Sequence, residues 1–122
     1  MAVYVDDMYK YSMGRYGRLK MSHMIADSSE ELHRMADVIG VARRWYQGDH
    51  YDIAISKRTT AVQAGAIEVS MTQLSSMCRR QKVEGHCGNP DEARAWWTQY
   101  RQQQREAKQM KQNAGKQEGH NV

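Results

Sequence analysis

Apolar and polar residues alternate along the chain in a way that predicts strands and helices in turn. Residues 2–5 (AVYV) and 22–27 (SHMIAD) are short, apolar-rich stretches typical of strands. Between them, residues 8–20 (MYKYSMGRYGRLK) have no clear periodicity, and we predict a long loop there. Residues 41–47 (VARRWYQ) and 66–71 (AIEVSM) are further predicted strands, the second because its apolar and polar residues alternate.

The clearest helix follows the second strand. Ser28 is placed to cap its start, with Glu31 at the capping-box spacing, and Gly40 is placed to end it. Its apolar residues form one face at positions i, i+3, i+4 and i+7: Leu32, Met35, Ala36 and Ile39. We predict two further helices over residues 56–65 and 72–85.

Strands that alternate with helices predict the α/β class. We expect a small three-layer or two-layer sandwich with a short, largely parallel sheet over residues 1–88. Asn89 and Pro90 are typical of a helix start, and they predict an appended C-terminal helix over residues 89–112. Residues 113–122 are predicted to be a disordered tail.

The net charge, the number of cysteines and the apolar content limit the kinds of partner that we expect. The chain has 122 residues and a net charge of +4, which is basic enough to allow nucleic acid without requiring it. Two cysteines do not make a secreted disulfide framework, and no apolar run approaches the length of a membrane span. We expect a protein of the cytoplasm that has no membrane partner.

Five aspartates are placed at or near predicted strand ends. Asp6 and Asp7 follow the first strand, Asp27 ends the second, and Asp49 and Asp52 lie in the stretch GDHYDIA. The carboxyl ends of parallel strands share one sheet edge, and clustered carboxylates suit Mg²⁺. One hypothesis is therefore a Mg²⁺-dependent phosphodiesterase or nuclease that uses Asp6, Asp7 and Asp52. Alternatively, these aspartates are turn formers and helix caps.

Histidines offer a second group of candidates. His23, His33 and His50 could bind a metal ion or, with Asp52, transfer protons. In the enzyme hypothesis, His23 or His50 moves protons. Because no two of them have the spacing of a local chelate, the fold would have to assemble such a site, and each histidine could instead have a hydrogen-bonded structural role.

A third group resembles a zinc knuckle only weakly. Cys78, His86 and Cys87 lack the CxxC pairs of structural zinc sites, so we expect reduced thiols there.

Basic and aromatic residues alternate in two segments, and they carry the leading hypothesis. The arginines could bind phosphate while the rings stack on bases; the residues are Arg15, Tyr16, Arg18, Arg43, Arg44 and Trp45. This pattern predicts a protein that binds a nucleotide or a nucleic-acid end, with His50 and Asp52 fixing its orientation. A third hypothesis is an interaction module whose Trp96/Trp97 helix docks on a host protein.

The order of several short motifs resembles a known family. YVDD, a Ser-His pair, ELH, HYD and an AxxAGA junction occur in the order found in short phage and bacterial proteins of domain-of-unknown-function family 4031. The resemblance covers about residues 2–74. It implies a phage accessory protein acting in the host cytoplasm, and it does not imply a particular activity. The positions that it marks are Asp6, His23, His33, His50, Tyr51 and Asp52.

Overall fold

A computed structural model describes the backbone of residues 2–120 and the side chains of residues 2–115. Along these residues the strands and helices are β1 (Val3–Val5), β2 (Arg15–Tyr16), β3 (Leu19–Ala26), α1 (Ser29–Ile39), β4 (Tyr51–Ala54), α2 (Ile55–Gln63), β5 (Ile67–Glu68), α3 (Met71–Glu84) and α4 (Ala93–His120). Short 3₁₀ turns lie at Met8–Lys10, Ser12–Gly14, Arg43–Trp45 and Pro90–Glu92.

The strands form one mixed sheet in the order β2-β3-β1-β5, with β4 also paired to β3. The α/β class is confirmed, but the sheet differs in detail from the largely parallel one that we expected. The pairs β1–β3, β2–β3 and β3–β4 are antiparallel, and only β1–β5 is parallel among the described strands. The difference arises because β2 and β3 form a hairpin, which reverses the chain, and β4 then pairs antiparallel to β3.

Side-chain alternation along the strands divides the core into two halves. One half contains Val5, Met24 and Ile53 together with buried residues of α1 and α2. The other half contains Tyr4 and Ile25, which pack with Leu74 and Met77 of α3 and with Ala93 at the start of α4. The result is a three-layer arrangement with helices on both faces of the sheet.

Local sequence signals set the helix ends. The Ser28 hydroxyl accepts a hydrogen bond from the Glu31 N–H at 3.2 Å, and Gly40 ends α1 with a left-handed φ of 76°. Both features confirm the predicted first helix. In α3 the Ser70 and Gln73 side chains complete a reciprocal capping box.

The predicted strand over residues 41–47 is wrong. Residues 43–45 form a 3₁₀ turn with exposed side chains, and the strand occupies Tyr51–Ala54 instead. Within β4, Tyr51 and Ile53 are buried while Asp52 and Ala54 are partly exposed. The true strand alternates strictly, whereas in residues 41–47 the chain turns at Arg43–Trp45 and Tyr46 forms an isolated antiparallel bridge to Tyr51.

The C-terminal helix is longer than we predicted. It packs against α3 through its first turns, and its described side chains from 101 to 115 are exposed. The helix continues to His120, past the predicted end at 112, because residues 114–118 are mostly good helix formers. Residues 121–122 of the predicted tail lie outside the described part of the chain. Over residues 2–120, no helix combines the length and apolar character needed to cross a membrane.

Candidate metal site

Two side chains of the site are brought together by the register of the sheet. His23 in β3 lies directly opposite Asp52 in β4. Opposed residues of an antiparallel pair project from the same face. The adjacent pair, Met24 and Tyr51, is buried in the core beneath α1 and α2. His23 and Asp52 therefore face the α3 layer, with Nε2 of His23 3.7 Å from Oδ1 of Asp52.

A second histidine reaches the same oxygen. His50 lies immediately before β4, and its Nε2 is 3.4 Å from Oδ1 of Asp52. The rings of His23 and His50 meet edge to face with their centroids 5.3 Å apart. One ligand atom from each of the three residues lies within 4.8 Å of the others. The fold thus assembles a cluster that no local sequence spacing indicated.

Asp6, which directly follows β1, fixes the orientation of His23. Its side chain is fully buried, and its Oδ2 lies 2.7 Å from Nδ1 of His23. Its Oδ1 accepts hydrogen bonds from the backbone N–H groups of His23 at 2.9 Å and Met8 at 3.1 Å. Because a carboxylate only accepts hydrogen bonds, Nδ1 of His23 is the donor. The other nitrogen, Nε2, faces Asp52.

Asp49 holds His50 in the same way. Its Oδ1 lies 2.5 Å from Nδ1 of His50, while its Oδ2 accepts from the Lys82 ammonium at 2.6 Å. Partial burial acts to raise the pKa of Asp49, but the hydrogen bonds from His50 and Lys82 outweigh burial and lower the pKa to about 2. Asp49 is therefore a carboxylate at neutral pH, and Nδ1 of His50 donates to it.

Asp52 carries an oxygen that is left without a partner. Its Oδ2 accepts a hydrogen bond from Nε2 of Gln47 at 2.8 Å. Its Oδ1 is buried and has no hydrogen-bond partner among the described residues. The Asp52 carboxylate, and after it that of Asp49, raise the pKa of His50 to about 9 against the effect of burial. A buried carboxylate oxygen facing two imidazole nitrogens is a donor set that suits a divalent transition-metal ion.

The other predicted carboxylate ligand, Asp7, lies at a different place. Its Oδ1 accepts a hydrogen bond from the backbone N–H of Met71 at 2.9 Å, at the start of α3. Asp27 likewise bonds outside the cluster, where its Oδ1 accepts from the backbone N–H of Cys87 at 2.9 Å. Both carboxylates satisfy backbone donors, which is the turn and cap role that the sequence left open.

His33 and Tyr51, the two other positions marked by the family resemblance, lie on the opposite face of β4. Nδ1 of His33 is 2.7 Å from the hydroxyl of the fully buried Tyr51. The ring of Tyr46 packs edge to face against His33, with the centroids 4.5 Å apart. This group ties α1 to β4 and so holds the strand that carries Asp52.

The basic and aromatic residues predicted to bind phosphate lie beside the cluster rather than within it. Three lie on the β2–β3 hairpin and three on the 3₁₀ turn before β4, and all six are exposed: Arg15, Tyr16, Arg18, Arg43, Arg44 and Trp45.

The cysteines and tryptophans of the other hypotheses also have defined places. Cys78 and Cys87 are free thiols, and burial raises the pKa of each. The Cys87 thiol donates to the backbone oxygen of Ala26 at 3.3 Å. Trp96 and Trp97 stack on each other with ring centroids 6.3 Å apart and are partly buried.

Sequence reasoning missed the residues that cover the site. A cavity of about 310 Å³ lies over His23 and His50 and is roofed by α3, with Ser75, Arg79 and Lys82 in its lining. These three α3 residues recur at i, i+4 and i+7, a spacing that places them on one helix face. That polar stripe was the available signal. No sequence pattern marked Gln47, because its contact with Asp52 depends on the conformation of the loop before β4.

Together, the fold and the cluster define a small α/β domain with a two-histidine, one-carboxylate candidate metal site between the sheet and α3. The family model named Protein of unknown function (DUF4031) matches residues 3–81, and the chain belongs to this family. The match includes His23, His50 and Asp52 and ends before Lys82 and α4. No curated protein and no solved structure matches the chain.

Proposed function

We propose that the protein is a metal-dependent phosphodiesterase that holds one divalent transition-metal ion at His23, His50 and Asp52. The observation that carries the proposal is Oδ1 of Asp52, a buried oxygen with no hydrogen-bond partner among the described residues. Both imidazole Nε2 atoms lie within 4 Å of that oxygen, at 3.7 and 3.4 Å. His23, His50 and Asp52 would hold a cation there, and its charge would compensate the buried carboxylate oxygen.

The carboxylates that contact the two histidines support a metal site over an ordinary ion-pair cluster. Histidine ligands of metals usually donate their other ring N–H to a carboxylate or a carbonyl. Here Asp6 accepts a hydrogen bond from Nδ1 of His23 at 2.7 Å, and Asp49 accepts one from Nδ1 of His50 at 2.5 Å. Each carboxylate fixes the orientation of its histidine ring.

The donor types favour zinc, manganese, iron, cobalt or nickel over magnesium. Imidazole nitrogens suit these transition metals, whereas Mg²⁺ prefers an all-oxygen shell. The carboxylate of Asp6 is already engaged by His23 and Met8. For this reason we place Asp6 as a support for His23, rather than as a direct ligand as in the magnesium hypothesis.

The cavity next to the cluster supports an anionic substrate. Arg79 and Lys82 lie in its lining, above the two histidines. A phosphodiester there would meet positive charge from α3 on one side and from the ion on the other. An ion held at the cluster would act as a Lewis acid and supply hydroxide near neutral pH. Attack of the hydroxide oxygen on phosphorus would form one P–O bond and break the P–O bond to the leaving group. The leaving oxygen would take the proton that the water lost, which gives the alcohol.

The free cysteines are consistent with a reducing cytoplasm, and we include that location in the proposal. Cys78 is partly buried and Cys87 is buried, and both are unpaired. An oxidising compartment would favour their oxidation or disulfide pairing.

The first test is metal binding by the EDTA-treated protein, titrated with Zn²⁺ or Mn²⁺ in a calorimeter. We expect one ion per chain, with binding lost in His50→Ala and retained in the control His86→Ala, whose histidine is exposed and outside the cluster. Asp6→Asn should weaken metal binding by about 10- to 100-fold, because it removes the carboxylate that orients a histidine ligand. Equal binding by the parent protein and His50→Ala would contradict the site.

The second test is metal-dependent hydrolysis of bis(p-nitrophenyl) phosphate, followed by release of nitrophenolate. We expect turnover with a transition metal and its loss in Asp52→Asn. If the protein binds metal but hydrolyses neither bis(p-nitrophenyl) phosphate nor an oligonucleotide, the enzymatic part of the proposal is contradicted. The protein would then be a metal-dependent phosphate-binding protein.

A further inference from the structure

A long groove runs along the edge of the sheet beside the candidate metal site. Its volume is about 600 Å³, roughly twice that of the cavity under α3. Its walls come from the β2–β3 hairpin, the 3₁₀ turn before β4, β4 itself and the start of α2. The polar and aromatic residues of its lining include Tyr16, Arg44, Trp45, Gln47, Asp52 and Lys57.

Two aromatic rings stand exposed in this groove. Trp45 is 58% exposed and Tyr16 is 59% exposed, so neither ring serves the core. The Arg44 guanidinium lies over the Trp45 ring, 5.3 Å from its centroid. Large exposed rings next to an arginine offer flat faces on which unpaired bases can stack.

The charge of the groove is complementary to a phosphate backbone. Arg44 and Lys57 lie in its lining, and among its described lining residues Asp52 is the only carboxylate. Asp52 belongs to the candidate metal site, where a bound cation would offset its charge. A polyanion in the groove would therefore meet two cationic side chains, Arg44 and Lys57.

The groove and the candidate metal site share one residue, Asp52. Gln47 lies in the groove lining and donates a hydrogen bond to Oδ2 of Asp52 at 2.8 Å. The other oxygen of Asp52 faces His23 and His50. A chain held in the groove would thus present a phosphodiester close to the three ligands.

We propose that this groove binds single-stranded nucleic acid and that the strand is the substrate class of the site. The substrate assignment rests on the proposed function, whereas strand binding does not. A single strand is favoured over a duplex because only unpaired bases expose faces that Trp45 and Tyr16 can stack on. The net charge of +4 is also modest for a duplex-binding protein.

The experiment is fluorescence anisotropy with a labelled 12-residue oligothymidine, carried out in EDTA with the full-length protein. We expect binding that weakens about tenfold in Trp45→Ala and in Arg44→Ala, since stacking on one ring is worth roughly this factor or more. The matched controls are Tyr11→Ala and Arg34→Ala, which remove an exposed ring and an exposed guanidinium outside the groove. Both controls should bind as the parent does.

The outcomes separate this inference from the proposed function. Because EDTA removes the ion, oligonucleotide binding does not depend on hydrolysis. Binding in EDTA together with failure of both metal tests would overturn the phosphodiesterase and keep the groove as a strand-binding surface. Hydrolysis of bis(p-nitrophenyl) phosphate by a protein that does not bind the oligonucleotide would overturn the groove. Equal or tighter binding of a 12-base-pair duplex would also overturn it, as would equal losses in the control variants.

Discussion

At the scale of single residues, the site is built so that Nδ1 of each imidazole contacts one carboxylate and Nε2 faces another. Asp6 accepts from His23 and Asp49 accepts from His50, and both Nε2 atoms then point at one oxygen of Asp52. In the metal-free protein this geometry concentrates negative charge around His50, and the proton that His50 holds offsets part of it.

This charge balance gives a pH dependence of stability in the metal-free protein. The pKa of His50 is raised by Asp52, and next by Asp49, from 6.5 to about 9. A raised folded-state pKa means that the contribution of His50 is fully present below pH 6.5 and is lost as the pH rises through 9. In urea titrations in EDTA, we expect the free energy of unfolding to fall between pH 7 and 9 by more in the parent than in His50→Ala. Parallel curves for the two proteins would show that the folded state does not hold this proton.

Residue identities were more accessible from the sequence than residue roles. The stretch GDHYDIA and the SH pair pointed to His23, His50 and Asp52, because GDHYDIA follows a basic and aromatic stretch and both motifs belong to the family resemblance. Which nitrogen is free, and which carboxylate supports rather than binds, depends on contacts between residues far apart in sequence. The contact of Asp6 with His23 spans 17 positions, and that of Asp49 with Lys82 spans 33.

At the scale of elements, helices with strong local signals were predicted well and the edge strand was not. The first helix carries its own cap, apolar face and terminal glycine, so its ends follow from local residues. The strand β4 has only four residues, and its place follows from pairing with β3, a partner nearly 30 positions away. The arginine-rich segment before it has strand-like composition, but it turns at Arg43–Trp45 and pairs with β4 through the isolated bridge of Tyr46 to Tyr51.

The first turns of α4 connect to the site through one side chain of α3. The Arg79 guanidinium, which helps to line the cavity over His23 and His50, lies 4.3 Å from the centroid of the Trp97 ring. The adjacent Trp96 instead stacks beneath Arg80, whose guanidinium is 5.7 Å from that ring and which is not in the cavity lining. Each of the two neighbouring tryptophans therefore contacts one of two neighbouring arginines. Of the two arginines, Arg79 lines the cavity over the histidines and Arg80 does not.

We expect Trp97→Ala to weaken substrate binding by freeing Arg79. The KM for bis(p-nitrophenyl) phosphate should rise about fivefold or more, because an exposed cation–π contact contributes ~1 kcal/mol to the position of the guanidinium. The turnover number should change less than the KM, since Arg79 is not a metal ligand. Trp96→Ala is the matched control, since it removes an equal ring from α4 without touching Arg79. A rise in KM that is the same in both variants would assign the effect to loss of helix packing.

At the scale of the whole molecule, the family domain and the C-terminal helix are not independent. The family model ends at residue 81, inside α3, yet the half of the core on that face includes Cys87 and Ala93. The predicted boundary at residue 88 thus passes through the packing of α3 against the start of α4. Beyond residue 100 the described side chains of α4, up to 115, are exposed, so the helix has a packed part and a projecting part.

Two truncations should distinguish these parts of α4. A chain that ends at Gln104 loses only exposed side chains from the described part of the helix, and we expect its thermal midpoint and its metal stoichiometry to match those of the full chain. A chain that ends at Gly88 loses the fully buried Ala93 and the stacked Trp96 and Trp97. Loss of that apolar burial should lower the free energy of unfolding by about 3 kcal/mol or more and reduce cooperativity. Urea titration and calorimetry of the three chains provide the comparison. If the chain ending at Gly88 is as stable as the full protein, α4 is an appendage in the sense predicted from the sequence, and its tryptophans are available to a partner protein.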